Sequence, residues 1–80
     1  MKISLRPEAE KQFRKLPPPE KKKVTRKLLL LTGDYTIGKP LQGEYEGLRS
    51  LRVWPYRIIY TIENNTIVIY SIAHRQGVYK

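Results

Sequence analysis

Two runs near the end of the chain, YRIIYTIE and TIVIYSIAH, flank a single Asn64-Asn65 pair. No other feature restricts the fold as much. β-Branched and aromatic residues fill both runs, and asparagine tolerates the positive φ that a two-residue hairpin turn requires. A turn there fixes the register: Ile62 faces Ile67, Tyr60 faces Ile69, and Ile58 faces Ser71. Side chains alternate along strands. One face of the hairpin therefore carries Tyr56, Ile58, Tyr60, Ile62, Ile67, Ile69, Ser71 and Ala73. That face is apolar and belongs under other elements. The opposite face carries Arg57, Ile59, Thr61, Glu63, Thr66, Val68, Tyr70, Ile72 and His74. It is mixed, and we expect it to be open.

The run LRSLRVW (residues 48–54) precedes the hairpin and reads as a third strand. A tight turn at Trp54-Pro55 sets Val53 against Tyr56 and Arg52 against Arg57. Both arginines then leave the open face. Like charges directly opposite on a sheet repel, so an arginine pair aimed together suits a missing polyanionic ligand better than a structural surface. By the same parity Arg49 points to the other side. His74 is expected beside the pair on the open face, with Arg75 and Tyr79 following where the strand pattern fades.

The N-terminal part is built differently. KISLR alternates like a short strand. Pro7 suits the first helical turn, and Glu8 and Glu10 complement the helix dipole. Ala9, Phe13 and Leu16 make one apolar stripe, and Pro17-Pro18-Pro19 ends that helix. A second helix begins near Pro19-Glu20. Val24, Leu28 and Leu31 form its stripe, widened by Leu29 and Leu30, and Gly33 stops it. From Asp34 to Gly47 the sequence has three glycines, a proline and no period, and reads as an irregular loop, long for a small domain. The expected architecture is α+β: an N-terminal strand, two helices, then a three-strand antiparallel meander, with both helices on one face of the sheet. Residues 1–80 are expected to form a single domain.

The charge narrows the partners. Sixteen Lys and Arg against seven Asp and Glu give +9, a field that favours polyanions. Lys21-Lys22-Lys23 is the densest run. It is either the solvated side of a helix or a phosphate-contacting patch. No segment pairs a basic face with a Trp/Phe-rich one, and no apolar run approaches the roughly 20 residues that cross a bilayer, so a membrane partner is not expected. The chain lacks cysteine and has one histidine, which leaves no disulfide and no credible metal site. No cofactor is expected. With no signal-peptide pattern after Met1, the expected location is the cytoplasm.

SLRVWPYRIIY followed by IAHRQGVYK resembles the RelE/ParE superfamily of toxins from type II toxin–antitoxin modules. LQGEYEGLRSLRV is similar to the family's approach to its second strand, and PYRIIY to its third. The resemblance covers nearly the whole chain and implies a RelE-like fold. RelE-like members cut messenger RNA in the ribosomal A site, without a metal, by attack of a ribose 2′-OH on the adjacent phosphate. ParE-like members share the fold and poison DNA gyrase. The RelE-like branch implies a catalytic set of Arg57, Arg75 and Tyr79, with His74 as a second candidate for proton transfer. Arg52 matches a basic second-strand position of that branch; together with Arg49, and with Trp54, Lys21, Lys22 and Lys23 on their own stacking and charge, it makes up the expected RNA contacts. One position departs from the RelE pattern: a lysine stands two residues before the position of Arg52 there, and here that residue is Ser50. The resemblance further implies an acidic antitoxin that folds onto the toxin, a hetero-oligomer with it, a monomer without it, and ribosome and mRNA as targets. A gyrase poison and an inactive RNA- or antitoxin-binding relative are the alternatives.

Overall fold

The structure, a computed structural model, describes residues 1–74. Strand β1 (Lys2–Leu5) leads into α1 (Pro7–Arg14) and α2 (Pro18–Gly33). A short edge strand β2 (Lys39–Pro40) follows, then β3 (Arg49–Val53), β4 (Tyr56–Glu63) and β5 (Thr66–His74). The five strands form one sheet in the order β1-β5-β4-β3-β2.

The expected meander is present but is not the whole sheet. β1 pairs in parallel with β5, Ile3 opposite Ile67 and Leu5 opposite Ile69, so the sheet is mixed. Without β1 the outer edge of β5 would present unpaired backbone groups to solvent. The Arg6 N–H continues the pairing to the Ile69 carbonyl at 2.9 Å, and its guanidinium lies 5.2 Å from the Tyr70 ring centre. On the far edge the Asp34–Gly47 segment is more ordered than its composition suggests. It contains β2 and 3₁₀ turns at Tyr35–Ile37 and Gly43–Tyr45. The Asp34 carboxylate starts the first turn by accepting the Thr36 N–H at 3.0 Å and its hydroxyl. The Thr36 hydroxyl bond, then the N–H bond, hold this carboxyl below its ordinary pKa, and the Arg49 charge adds to them.

The Asn64-Asn65 turn forms as expected, with φ of 49° and 59°, and Ile62–Ile67 and Tyr60–Ile69 pair. Beyond that point the register shifts. Ile59 pairs with Ser71 and Ile58 with Ile72, which leaves Tyr70 as an extra residue on β5. This β-bulge overturns the expected parity from Ser71 onward. The physical reason is burial. Strict alternation would put Ser71 under the helices and Ile72 in the open. The bulge brings Ile72 into the core at 2 % exposure, and burying one such side chain is worth about 1.5–3 kcal/mol. The Ile72 N–H, past the end of β1, is satisfied by the Gln12 side-chain oxygen of α1 at 2.7 Å.

Both helices cover one face, as expected. Ala9, Leu16, Val24, Leu28 and Leu31 pack with Val53, Ile58, Tyr60, Ile67, Ile69 and Ile72 in a single cluster. Leu29 and Leu30 do not widen the stripe; they are 63 % and 55 % exposed. At 3.6 residues per turn they fall off the side that Leu28 and Leu31 present to the sheet. The other face is not entirely open either, since Ser50 and Ile59 are buried there outside that cluster. Among the described residues no helix is long and apolar enough to cross a membrane.

Candidate functional site

The turn through Trp54-Pro55 is as tight as expected. Val53 pairs with Tyr56 and Arg52 with Arg57. The arginine pair therefore exists on the face away from the helices. Arg57 is half-buried, and its Nη1 donates to the Ser50 Oγ at 3.2 Å. That bond crosses from β4 to β3 and sets the guanidinium over the floor of a cleft of about 350 Å³. Ile37, Lys39, Ser50, Leu51, Arg52 and Arg57 line it. These lining residues include three basic side chains and no carboxylate.

Sequence reasoning placed Arg52 and Arg57 together on this face but not Lys39. It lies in the segment read as a loop, and β2 is what brings it in. Lys39 pairs with Ser50 across β2 and β3, so its side chain shares the face of Ser50, Arg52 and Arg57. The available signal was Lys39-Pro40 itself. Proline holds the preceding residue extended, and proline in a sheet belongs on an edge strand.

Arg49 faces the other way, as parity requires. It pairs with Tyr60, and its Nη1 donates to the Gly38 carbonyl at 2.7 Å and the Thr36 carbonyl at 3.4 Å. It is a brace for the 35–38 segment rather than a member of the cleft. Tyr60, fully buried, completes the brace. Its hydroxyl donates to the Tyr35 carbonyl at 2.6 Å and accepts the Gly38 N–H at 3.0 Å. Burial raises the phenol above its ordinary pKa of 10.0, against the lowering effect of the Gly38 N–H and the Arg49 charge. Gly38 has no substitute here: a Cβ would fall 2.9 Å from Tyr60 Cζ and closer still to Cε1 and Oη.

His74 is a correction. The bulge sets it opposite Tyr56, with the rings edge to face at 5.7 Å and 82°, whereas Arg57 pairs with Ala73. His74 is therefore on the Tyr56 side of the sheet and not on the side of the arginine pair. Trp54 projects from the β3–β4 turn, 57 % exposed. Of the lysine run, Lys23 donates to the Trp54 carbonyl at 3.0 Å and pairs with Glu20 at 2.9 Å. Lys21 and Lys22 line a separate groove with Phe13, Thr25 and Arg26. Arg75 and Tyr79 lie outside the described residues.

The fold is a small α+β domain whose sheet carries Lys39, Arg52 and Arg57 on the face away from the helices. The family described as ParE toxin of the type II toxin–antitoxin system, parDE, matches residues 3–79. The chain belongs to this family, within the RelE/ParE superfamily. Among curated relatives it is 38 % identical over 53 residues to Toxin RelE of Mycobacterium tuberculosis, covering 64 % of this chain and 55 % of the relative. It is 41 % identical over 46 residues to Toxin RelG of the same organism, covering 55 % and 53 %. The chain thus aligns with about half the length of these relatives. Among solved structures, the toxin–antitoxin complex RelBE2 from M. tuberculosis superposes with a TM-score of 0.84 at 31 % identity, over 92 % of this chain and 96 % of that one. The isolated RelE toxin of E. coli superposes at 0.80 with 18 % identity, over 91 % and 82 %, a likeness of fold.

Proposed function

We propose that this protein is the toxin of a type II toxin–antitoxin module and acts as a ribosome-dependent endonuclease on messenger RNA. The observation that carries the reading is the Arg52–Arg57 pair, held on one face above Ser50 in a cleft whose described lining has no carboxylate. The reaction forms the O2′–P bond and breaks P–O5′, leaving a 2′,3′-cyclic phosphate and a free 5′-OH. It needs a base for the 2′-OH proton, a proton for the departing 5′-oxygen, and cations around the phosphorus. Arg57 and Arg52 supply cations, and guanidinium donors match phosphate oxygens in geometry and charge. Arg75 is proposed near the leaving oxygen and Tyr79 as the base, on the resemblance to RelE-like members. The open face suits single-stranded RNA with splayed bases, and Trp54 is proposed to stack on one of them.

The curated relatives named RelE and RelG favour this branch. The family description, which is that of ParE, favours a second reading, a gyrase poison with the same fold. For either reading the proposed partner is an acidic antitoxin. Exposed Leu29 and Leu30 on α2, the helix that also carries Lys21, Lys22 and Arg26, suit an amphipathic acidic segment that folds on binding.

Mapping transcript 5′ ends by primer extension after induction tests the proposal. Cuts in frame on translated messages, lost in Arg57→Ala, are expected. Intact messages accompanied by double-strand DNA breaks would overturn it in favour of the gyrase reading.

A further inference from the structure

We infer that Lys39, carried on the edge strand β2, completes with Arg52 and Arg57 a phosphate-contacting cluster around Ser50. The inference rests on the nuclease reading for its catalytic consequence, but its binding consequence stands by itself. The geometry has three parts. Lys39 is the register partner of Ser50, and Cβ atoms of directly opposite residues lie about 4.5–5.5 Å apart. Arg57 reaches the same serine from the strand on its other side. Lys39 and Arg57 thus flank Ser50 from β2 and β4, and Arg52 stands two residues further along β3. A serine in the middle is small and its hydroxyl accepts from Arg57, so it leaves room in the cleft for an anion that both neighbours touch. A lysine side chain in its place would occupy that room.

The second part is that the Lys39 backbone is fixed on both sides. Gly38 is held through its N–H to Tyr60 and its carbonyl to Arg49. Pro40 restricts Lys39 to extended geometry, and the Leu41 N–H then bonds the Leu48 carbonyl at 2.9 Å. The third is that the brace comes from the covered side of the sheet, through a fully buried tyrosine and an arginine that no cleft contact requires. Tyr60, Arg49 and Gly38 are positioning residues for Lys39.

An exposed lysine on an edge strand has an ordinary use: it discourages edge-to-edge pairing of sheets. The two roles separate experimentally, because a glutamate also puts a charge on the edge but repels phosphate. The test uses the full chain in two assays. The first is cleavage of a translated message on purified ribosomes. The second is fluorescence anisotropy of a short single-stranded RNA with 2′-O-methyl riboses, which cannot be cut. Lys39→Ala should lower cleavage about 10- to 100-fold, toward the loss seen when one donor to a developing charge is removed. It should weaken RNA binding and reduce the slope of log affinity against log salt by about 0.7, one phosphate contact on a single strand. Lys39→Glu should lose more in both assays with no rise in self-association.

Cleavage and salt slope unchanged in Lys39→Ala would overturn the inference. So would a Lys39→Glu variant as active as the parent. If the wild-type protein itself fails to cut, the nuclease reading falls, and the salt slope alone then decides whether Lys39 belongs to an anion site.

Discussion

The molecule carries two basic surfaces of dissimilar construction. On α2, Lys21, Lys22, Lys23, Arg26 and Lys27 crowd together because they are neighbours in sequence. Their charges stand on long flexible stems at a solvated helix surface. Lys23 is already engaged by Glu20 and the Trp54 carbonyl. In the cleft, Lys39, Arg52 and Arg57 come from three different strands and meet only because β2, β3 and β4 pair in one register. Arg57 is half-buried and tied to Ser50. Charge that is adjacent in sequence gives a diffuse field that attracts a polyanion from a distance and is screened by salt. Charge assembled by strand pairing can hold one anion in one place. Catalysis requires the second kind, because cations must be in position before charge develops.

Substitutions can break this contrast at several levels. Ile58→Ala removes a fully buried side chain next to Arg57 on β4. It should cost about 2–5 kcal/mol of stability in chemical denaturation and weaken the support of both surfaces. Arg57→Ala should lower cleavage about 100- to 1,000-fold while antitoxin binding, measured by calorimetry, changes little. Tyr60→Phe leaves the Gly38 N–H and Tyr35 carbonyl without their partner and should cost about 1–3 kcal/mol, with a several-fold fall in cleavage and no change at α2. Its pH signature follows from the sign of the shift. A phenol raised above 10.0 on folding contributes stability that is full below about pH 10 and is lost as pH climbs through the folded value. Alkaline denaturation of the wild type should therefore be steeper than that of Tyr60→Phe. Lys22→Ala, on the helix surface, should be the smallest effect, within about 0.5 kcal/mol of wild-type stability and with cleavage within about twofold.

Much of this was legible in the sequence, and the failures are local. Asn64-Asn65 set the hairpin, and Trp54-Pro55 set Arg52 against Arg57; both depend on turn chemistry, which is short-range. The helices followed from apolar spacing and proline. The bulge at Tyr70 was not legible, because it is decided by the competition between Ser71 and Ile72 for a place under α1, a tertiary matter. That one extra residue moved His74 off the arginine face. Lys39 was hidden for a related reason. A two-residue edge strand has no period to detect, and its order comes from Tyr60 and Arg49, which bind it from 11 to 22 residues away in sequence. The exposed Leu29 and Leu30 read as core because a run of four leucines on α2 does not show by itself where the helix turns away.

The most direct test is an NMR titration of the full chain with a short single-stranded RNA bearing 2′-O-methyl riboses, followed by backbone amide shifts. The cleft account predicts the largest saturable shifts at Ile37–Lys39, Ser50–Arg52 and Arg57, with weak and salt-sensitive changes along α2. Saturable shifts confined to Lys21–Lys27, with the strands unmoved, would contradict it.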